Sequence, residues 1–308
     1  MAAARGEMQQ SATYEATFRA SLRAQWDLDA VLAPTQDLDF SRNFLPQSLA
    51  RTDALTSLDT DERRLLNQIS AHQYLSLFII VEEFILPFLL DHTSEAAGTD
   101  DYARRALLNF AGEEVKHMQL FRRFLDSFGR GFPVRCEVIG PADAIGSEVL
   151  RHHPVAVSFV ILMFEWMSQV HYVGSIRDDS DLDPLFQSLM KHHWMEEAQH
   201  AKLDALMIEA LAQCYSTDEI EASVDDFFEI GAFLDDGLTQ QAEFNLDALE
   251  RVTGRKLTDR DAIAEQQLDA ARFTYLGSGM SHPKFLDLVT RIAPKGGQRI
   301  AEAARSFS

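Results

Sequence analysis

Helix start and stop signals punctuate the chain from end to end, while the strict apolar/polar alternation of a half-buried strand is almost absent. The pattern predicts an all-α fold. A short amphipathic helix is expected near Thr13–Trp26, followed by an irregular stretch marked by Pro34 and Pro46. Four longer helices should follow. The first begins near Asp59–Glu62 and runs to about Asp91, and the second runs from a cap at Thr99 or Asp100 to Gly129. The third follows Pro154 and reaches about Ile176, and the fourth runs from Asp183–Pro184 to about Gln213. A glycine-rich crossover from Gly129 to Gly140 should lead to a short helix near Pro141. Ser216 with Glu219 reads as the capping box of a long fifth helix ending near Gly254, and two or three short helices broken by Gly277, Gly279, Pro283 and Gly296 should complete the chain. Three units result: an N-terminal accessory segment (1–56), a four-helix bundle (57–214) and a C-terminal helical extension packed on the bundle (215–308).

Two of the bundle helices depart from ordinary amphipathicity. Residues 75–90, LSLFIIVEEFILPFLL, contain Ser76, Glu82 and Glu83 as their only polar side chains, and residues 157–167, VSFVILMFEWM, contain Glu165 as their only acid. Both runs fall short of the ~20 apolar residues of a membrane helix, and each central acid would cost roughly 2.5–3.5 kcal/mol there. No membrane span is expected. A carboxylate in such a helix is instead buried in protein, where a cation must offset its desolvation. A metal ion would serve.

Composition narrows the partners. The 308 residues are 46% hydrophobic, enough for a sizeable core, and the formal net charge of −20 argues against nucleic acid and anionic membranes. With Cys136 and Cys214 as the two cysteines, neither a disulfide framework nor a CxxC knuckle is available, and a reducing cytoplasm is expected. MAAARGEMQQ lacks the apolar core of a signal peptide.

The second bundle helix carries Glu114-x-x-His117 and the fourth carries Glu197-x-x-His200. At this spacing both side chains of a pair leave the helix on one face. One such pair usually means a solvated surface, but the order here is lone Glu, E-x-x-H, lone Glu, E-x-x-H. That is the carboxylate pattern of ferritin-like di-iron and di-manganese bundles. The interval from Glu83 to Glu114 is 31 residues and that from Glu165 to Glu197 is 32. The first and third helices also align without a gap, Ser76 on Ser158 and Glu83 on Glu165, which favours Glu83 over Glu82. The expected roles are Glu83 and His117 on one ion, Glu165 and His200 on the other, and Glu114 and Glu197 bridging. Four carboxylates offset two divalent ions. Oxygen and imidazole donors suit iron or manganese, with iron preferred because its divalent form reacts with O2. Ser76, Ser158, Tyr172 and Asp204 lie near the same stripes as candidate hydrogen-bond partners or ordinary core residues.

His193 shares the face of Glu197 and His200, whereas His192 and Glu196 are expected on the outer surface. Two helical turns separate His193 from His200 by roughly 10.5 Å of rise. Reaching one common ion would need leaning side chains or a π-bulge, and the alternative is a histidine stacked over the site. Glu83, Glu114-x-x-His117, Glu165 and His193-x-x-x-Glu197-x-x-His200 together resemble the ligand set of the 4-aminobenzoate N-oxygenase family of ferritin-like di-iron enzymes. The resemblance covers about residues 60–213 and makes His193 a seventh ligand. It implies two iron ions per chain, O2 as co-substrate, a small organic substrate such as an arylamine and an external electron donor. A homodimer is among the assemblies open to such a chain.

Competing readings are a ferritin-type iron-storage or ferroxidase protein, a radical protein of the ribonucleotide-reductase kind, and other ferritin-like oxidases: a hydroxylase, desaturase or di-manganese catalase. Storage leaves the roughly fifty residues before the bundle and the nearly one hundred after it without a use. The radical protein would carry tyrosine where this chain has Phe121.

Overall fold

The computed structural model describes residues 2–98 and 100–307. They form an all-α, ferritin-like arrangement: α1 (Ala2–Ala24), the single turns α2 (Leu28–Val31) and α3 (Gln47–Ala50), then α4 (Thr60–Ala97), α5 (Asp101–Gly131), α6 (Ala142–Leu150), α7 (Pro154–His171) and α8 (Pro184–Ala212). The C-terminal part comprises α9 (Thr217–Thr253), α10 (Arg260–Arg272), α11 (Ser278–Met280), α12 (Pro283–Ile292) and α13 (Pro294–Ala304). Helices α4, α5, α7 and α8 make the central bundle, with α4 paired to α5 and α7 to α8. Helix α1 lies over α5 and α8, and α9 packs against α4 and α7 on the other side.

Local chemistry sets the boundaries. The Asp100 carboxylate accepts the N–H groups of Tyr102 and Ala103 at the start of α5, while the alternative cap, Thr99, lies outside the described residues. Asp183 caps α8 by accepting the Phe186 N–H, with Pro184 in the first turn where no N–H is needed. The Ser216/Glu219 capping box opens α9, and Gly254, at φ 68°, closes it in the left-handed conformation that glycine adopts without penalty. Helix α7 ends in a π turn over Tyr172–Ile176. At the C-terminus Gly277 and Gly279 do not break the helix as their composition suggests. A π turn over Phe273–Gly277 carries α10 directly into α11, where a Cβ on Gly279 would lie 2.1 Å from the Met163 carbonyl oxygen. Glycine is there for close approach to α7.

Burial explains the two anomalous helices. The most apolar windows of Thr60–Thr93 and Pro154–Ile176 are long enough to cross a bilayer, yet 72% and 83% of them are buried inside the fold. They have protein on nearly every side. Helix α5 keeps a conventional stripe, Ala103, Leu107, Phe110, Glu114, His117, Phe121, Phe124 and Phe128, all buried at three- and four-residue steps. Glu114 and His117 therefore sit within an apolar face. The accessory segment is tied down by buried polar groups: Asn67 of α4 accepts from Phe44 and Leu45 N–H and donates to the Leu45 carbonyl, and Asp183 accepts the Asp39 N–H.

Candidate metal centre

Helices α4, α5, α7 and α8 bring four carboxylates and three imidazoles into the bundle interior. Glu114, His117, Glu165, His193, Glu197 and His200 are all at most 3% exposed, and Glu82 is the seventh member. Their donor atoms fall into two groups that share His117 and Glu197: Glu82, His117, His193 and Glu197, and Glu114, His117, Glu197 and His200. In the first, Glu197 Oε1 lies 2.8 Å from His193 Nε2 and 3.0 Å from His117 Nδ1, while Glu82 Oε1 is 3.4 Å from His193 Nε2. In the second, His200 Nδ1 is 2.9 Å from Glu114 Oε1 and 3.4 Å from Glu197 Oε2. Glu165 stands beside both groups, hydrogen-bonded to Glu197.

The structure corrects the choice between the adjacent acids of α4. Glu82 is buried in the cluster, whereas Glu83 turns outward and pairs with Arg122 at 2.7 Å. One turn before Glu82, the Phe78 ring meets His193 edge-on at 5.1 Å, so the stripe through 78 and 82 faces the cluster and position 83 is rotated ~100° away. Helices apolar on all sides align as well in one register as in the next, which is why the gap-free match misled. Spacing held the better signal: Glu82 to Glu114 is 32 residues, identical to the 32 from Glu165 to Glu197.

A second correction concerns Glu196, expected at the surface. It has no exposed surface, and its carboxylate accepts the His117 Nε2–H at 2.9 Å and pairs with Lys116. Glu113 does the same for His200 Nε2, also at 2.9 Å. Each E-x-x-H pair is in fact E-E-x-x-H, and the leading glutamate of one helix orients the histidine of the other. With Nε2 engaged outward, Nδ1 of both histidines is turned toward the cluster. The doubled acid in GEEVKH and MEEAQH is visible in the sequence. His192 keeps a peripheral place, half-buried, with its Nδ1 donating to the Ser188 carbonyl oxygen.

No π-bulge interrupts α8 between His193 and His200. The rise between them is accommodated because they enter different groups, His193 through Nε2 and His200 through Nδ1. Among the proposed hydrogen-bond partners, Ser76 and Ser158 donate to the carbonyls of His72 and Val155 in their own helices, and Tyr172 stacks on Trp194. Asp204 is fully buried with neither carboxylate oxygen hydrogen-bonded.

The donor set fits divalent metal ions. Both oxygens of Glu82, one each of Glu114 and Glu165, Nδ1 of His117 and His200, and both nitrogens of His193 lack hydrogen-bond partners despite complete burial. Such orphaned groups are costly in a core and are satisfied by a cation among them. Without one, protons hold the charge. Burial pushes the Glu82 carboxyl up to about 8 and lifts Glu165 well above the usual range, Glu197 adding to the latter. Burial disfavours charge on His117, yet Glu196, Glu197 and Glu114 outweigh it and raise the imidazole to about 10.

A model of the family described as "P-aminobenzoate N-oxygenase AurF" matches residues 9–221, which span α1 to the start of α9. No curated protein matches the chain.

Proposed function

Because the chain belongs to the P-aminobenzoate N-oxygenase AurF family, we propose that it is a di-iron oxygenase that transfers oxygen from O2 to the nitrogen of an arylamine. The observation that supports this most is the pair of interlocked, fully buried donor groups joined through His117 and Glu197. One ion would be held by Glu82, His117, His193 and Glu197, the other by Glu114, His200 and Glu197 with Glu165 beside them. A pair of iron ions there would supply O2 activation: with two electrons from an external donor and two protons, one oxygen would enter an N–H bond to give the hydroxylamine and the other would leave as water.

The chain's own residues prepare that chemistry. Glu113 and Glu196 fix the two imidazoles by accepting their Nε2–H protons, so neither ring can rotate its lone pair away from the centre. Phe78 and Phe121 close edge-on over His193 and Phe110 stacks on His200, which keeps bulk water off the reacting volume. Protons held at Glu82 Oε and His117 Nδ1 must leave when metal binds, so those atoms become lone-pair donors only in the loaded state.

Position 121 is phenylalanine, packed at 4.9 Å from the His193 ring, so the site offers no tyrosine there for a stored radical. The test is direct: load the protein with ferrous iron, reduce it, admit O2 with 4-aminobenzoate or aniline, and identify products by mass spectrometry. Hydroxylamino or nitro products labelled from 18O2 support the reading. O2 consumption with ferric mineral formation and no oxygenated amine would favour a ferroxidase instead.

A further inference from the structure

Resting on the oxygenase reading above, we propose that the substrate is an extended arylamine, larger than a single ring, whose amine-bearing end enters through α4 and α7 while its body fills a separate cavity under the C-terminal helices. That cavity has a volume of about 560 Å³ and is bounded by Met163 of α7, Phe227, Gly231 and Leu234 of α9, Leu276 and Phe307. Spaces of this size hold ligands well beyond one benzene ring. A smaller apolar chamber, about 40 Å³, lies between α4, α7 and α9, and Leu234 and Leu276 line both spaces. On this proposal the substrate passes between these two side chains. Phe78 lines the chamber and also meets the His193 ring edge-on at 5.1 Å, which makes it the link between the chamber and the cluster.

The small inner volume means that only the leading part of a substrate enters, with flexible Met167 and half-buried Leu234 yielding to it. Its walls also set the chemistry. Among the described residues no charged side chain lines the inner chamber, so an alkylammonium would be stripped of water without a counter-ion, whereas an arylamine is neutral at nitrogen near pH 7 and enters without that cost. The charged groups of the outer cavity are Arg51, Asp235, Asp269 and Arg272; Arg272 is engaged by Asp235 through two bonds of 2.6 and 2.7 Å and Arg51 lies over the Phe273 ring, while Phe227, Leu234 and Leu276 offer apolar faces to the substrate body. Gly231, Leu234, Leu276 and Phe307 all lie beyond residue 221, where the family match ends. Most of the cavity wall therefore comes from the segment after the matched region, with Val160 and Met163 of the bundle helix α7 completing it.

Gly231 provides the test, because a Cβ built on it meets nothing within 4 Å. Gly231 also lines the cavity, so a side chain placed there is expected to take up cavity space with little disturbance of α9. Binding of aniline, 4-aminobiphenyl and 4-amino-N-phenylbenzamide to the iron-loaded, anaerobic protein is measured by calorimetry, alongside iron content. The expected result is at least tenfold tighter binding of the two extended amines than of aniline, and collapse of that advantage in Gly231→Leu at unchanged iron content, with Gly231→Ala between. Equal affinities across the series, or a Gly231→Leu protein that binds the extended amines as the parent does, would overturn the proposal. Extended amines that bind with the expected Gly231 dependence yet are never N-oxygenated would leave the cavity assignment standing and remove the oxygenase reading.

Discussion

A glutamate with no exposed surface needs partners for its charge, and Glu196 has two in Lys116 and His117. Burial works against its ionisation, but those cations hold its carboxyl below the usual value. Glu196→Gln should keep the fold and lower metal affinity roughly 10–100-fold, because the amide no longer enforces the His117 tautomer. Equilibrium dialysis against manganese or zinc measures this, and Glu113→Gln should behave alike through His200. The adjacent acids of α4 give a sharper contrast. Glu82→Ala should weaken or abolish binding at the first metal position, while Glu83→Ala loses only a surface pair with Arg122 and about 0–1 kcal/mol of stability. Equal loss of metal in both variants would return the assignment to the register favoured by apolar alignment. Glu113 and Glu196 were legible only as repeated letters, since a surface acid and a buried one look the same until the partner helix is placed.

At the scale of elements, helix ends were the most legible feature, because Asp183, Ser216/Glu219 and Gly254 act within a few residues of themselves. The C-terminal glycines were less so. Gly279 touches a carbonyl 116 positions earlier, a packing relation that no local pattern encodes. Gly279→Ala should therefore destabilise by about 1–3 kcal/mol through overpacking against Met163, whereas Gly231→Ala, with free space around its Cβ, should be neutral or stabilise α9 by about 1 kcal/mol. Thermal unfolding of the two variants checks the opposite signs. The lone acids of α4 and α7 were legible as anomalies, but the register of α4 was not, since a helix buried all round has no polar face to orient it.

For the whole molecule, the net charge of −20 and the acid-rich centre make metal binding and proton release one event. With His117 raised to about 10 and Glu82 to about 8, both carry protons at pH 7 in the metal-free protein and surrender them on loading. Proton competition must then weaken metal binding as pH falls. Titration with zinc in weakly buffered solution at pH 7 should release more than one proton per chain, and a release near zero would mean that the ions bind elsewhere. On the proposed function the buried cluster holds two ions that share Glu197. Metal analysis after anaerobic loading with ferrous iron and removal of excess tests it most directly. Two irons per chain are expected in the parent and a clear loss in Glu197→Ala, and two irons retained as tightly in that variant would rule out the shared carboxylate.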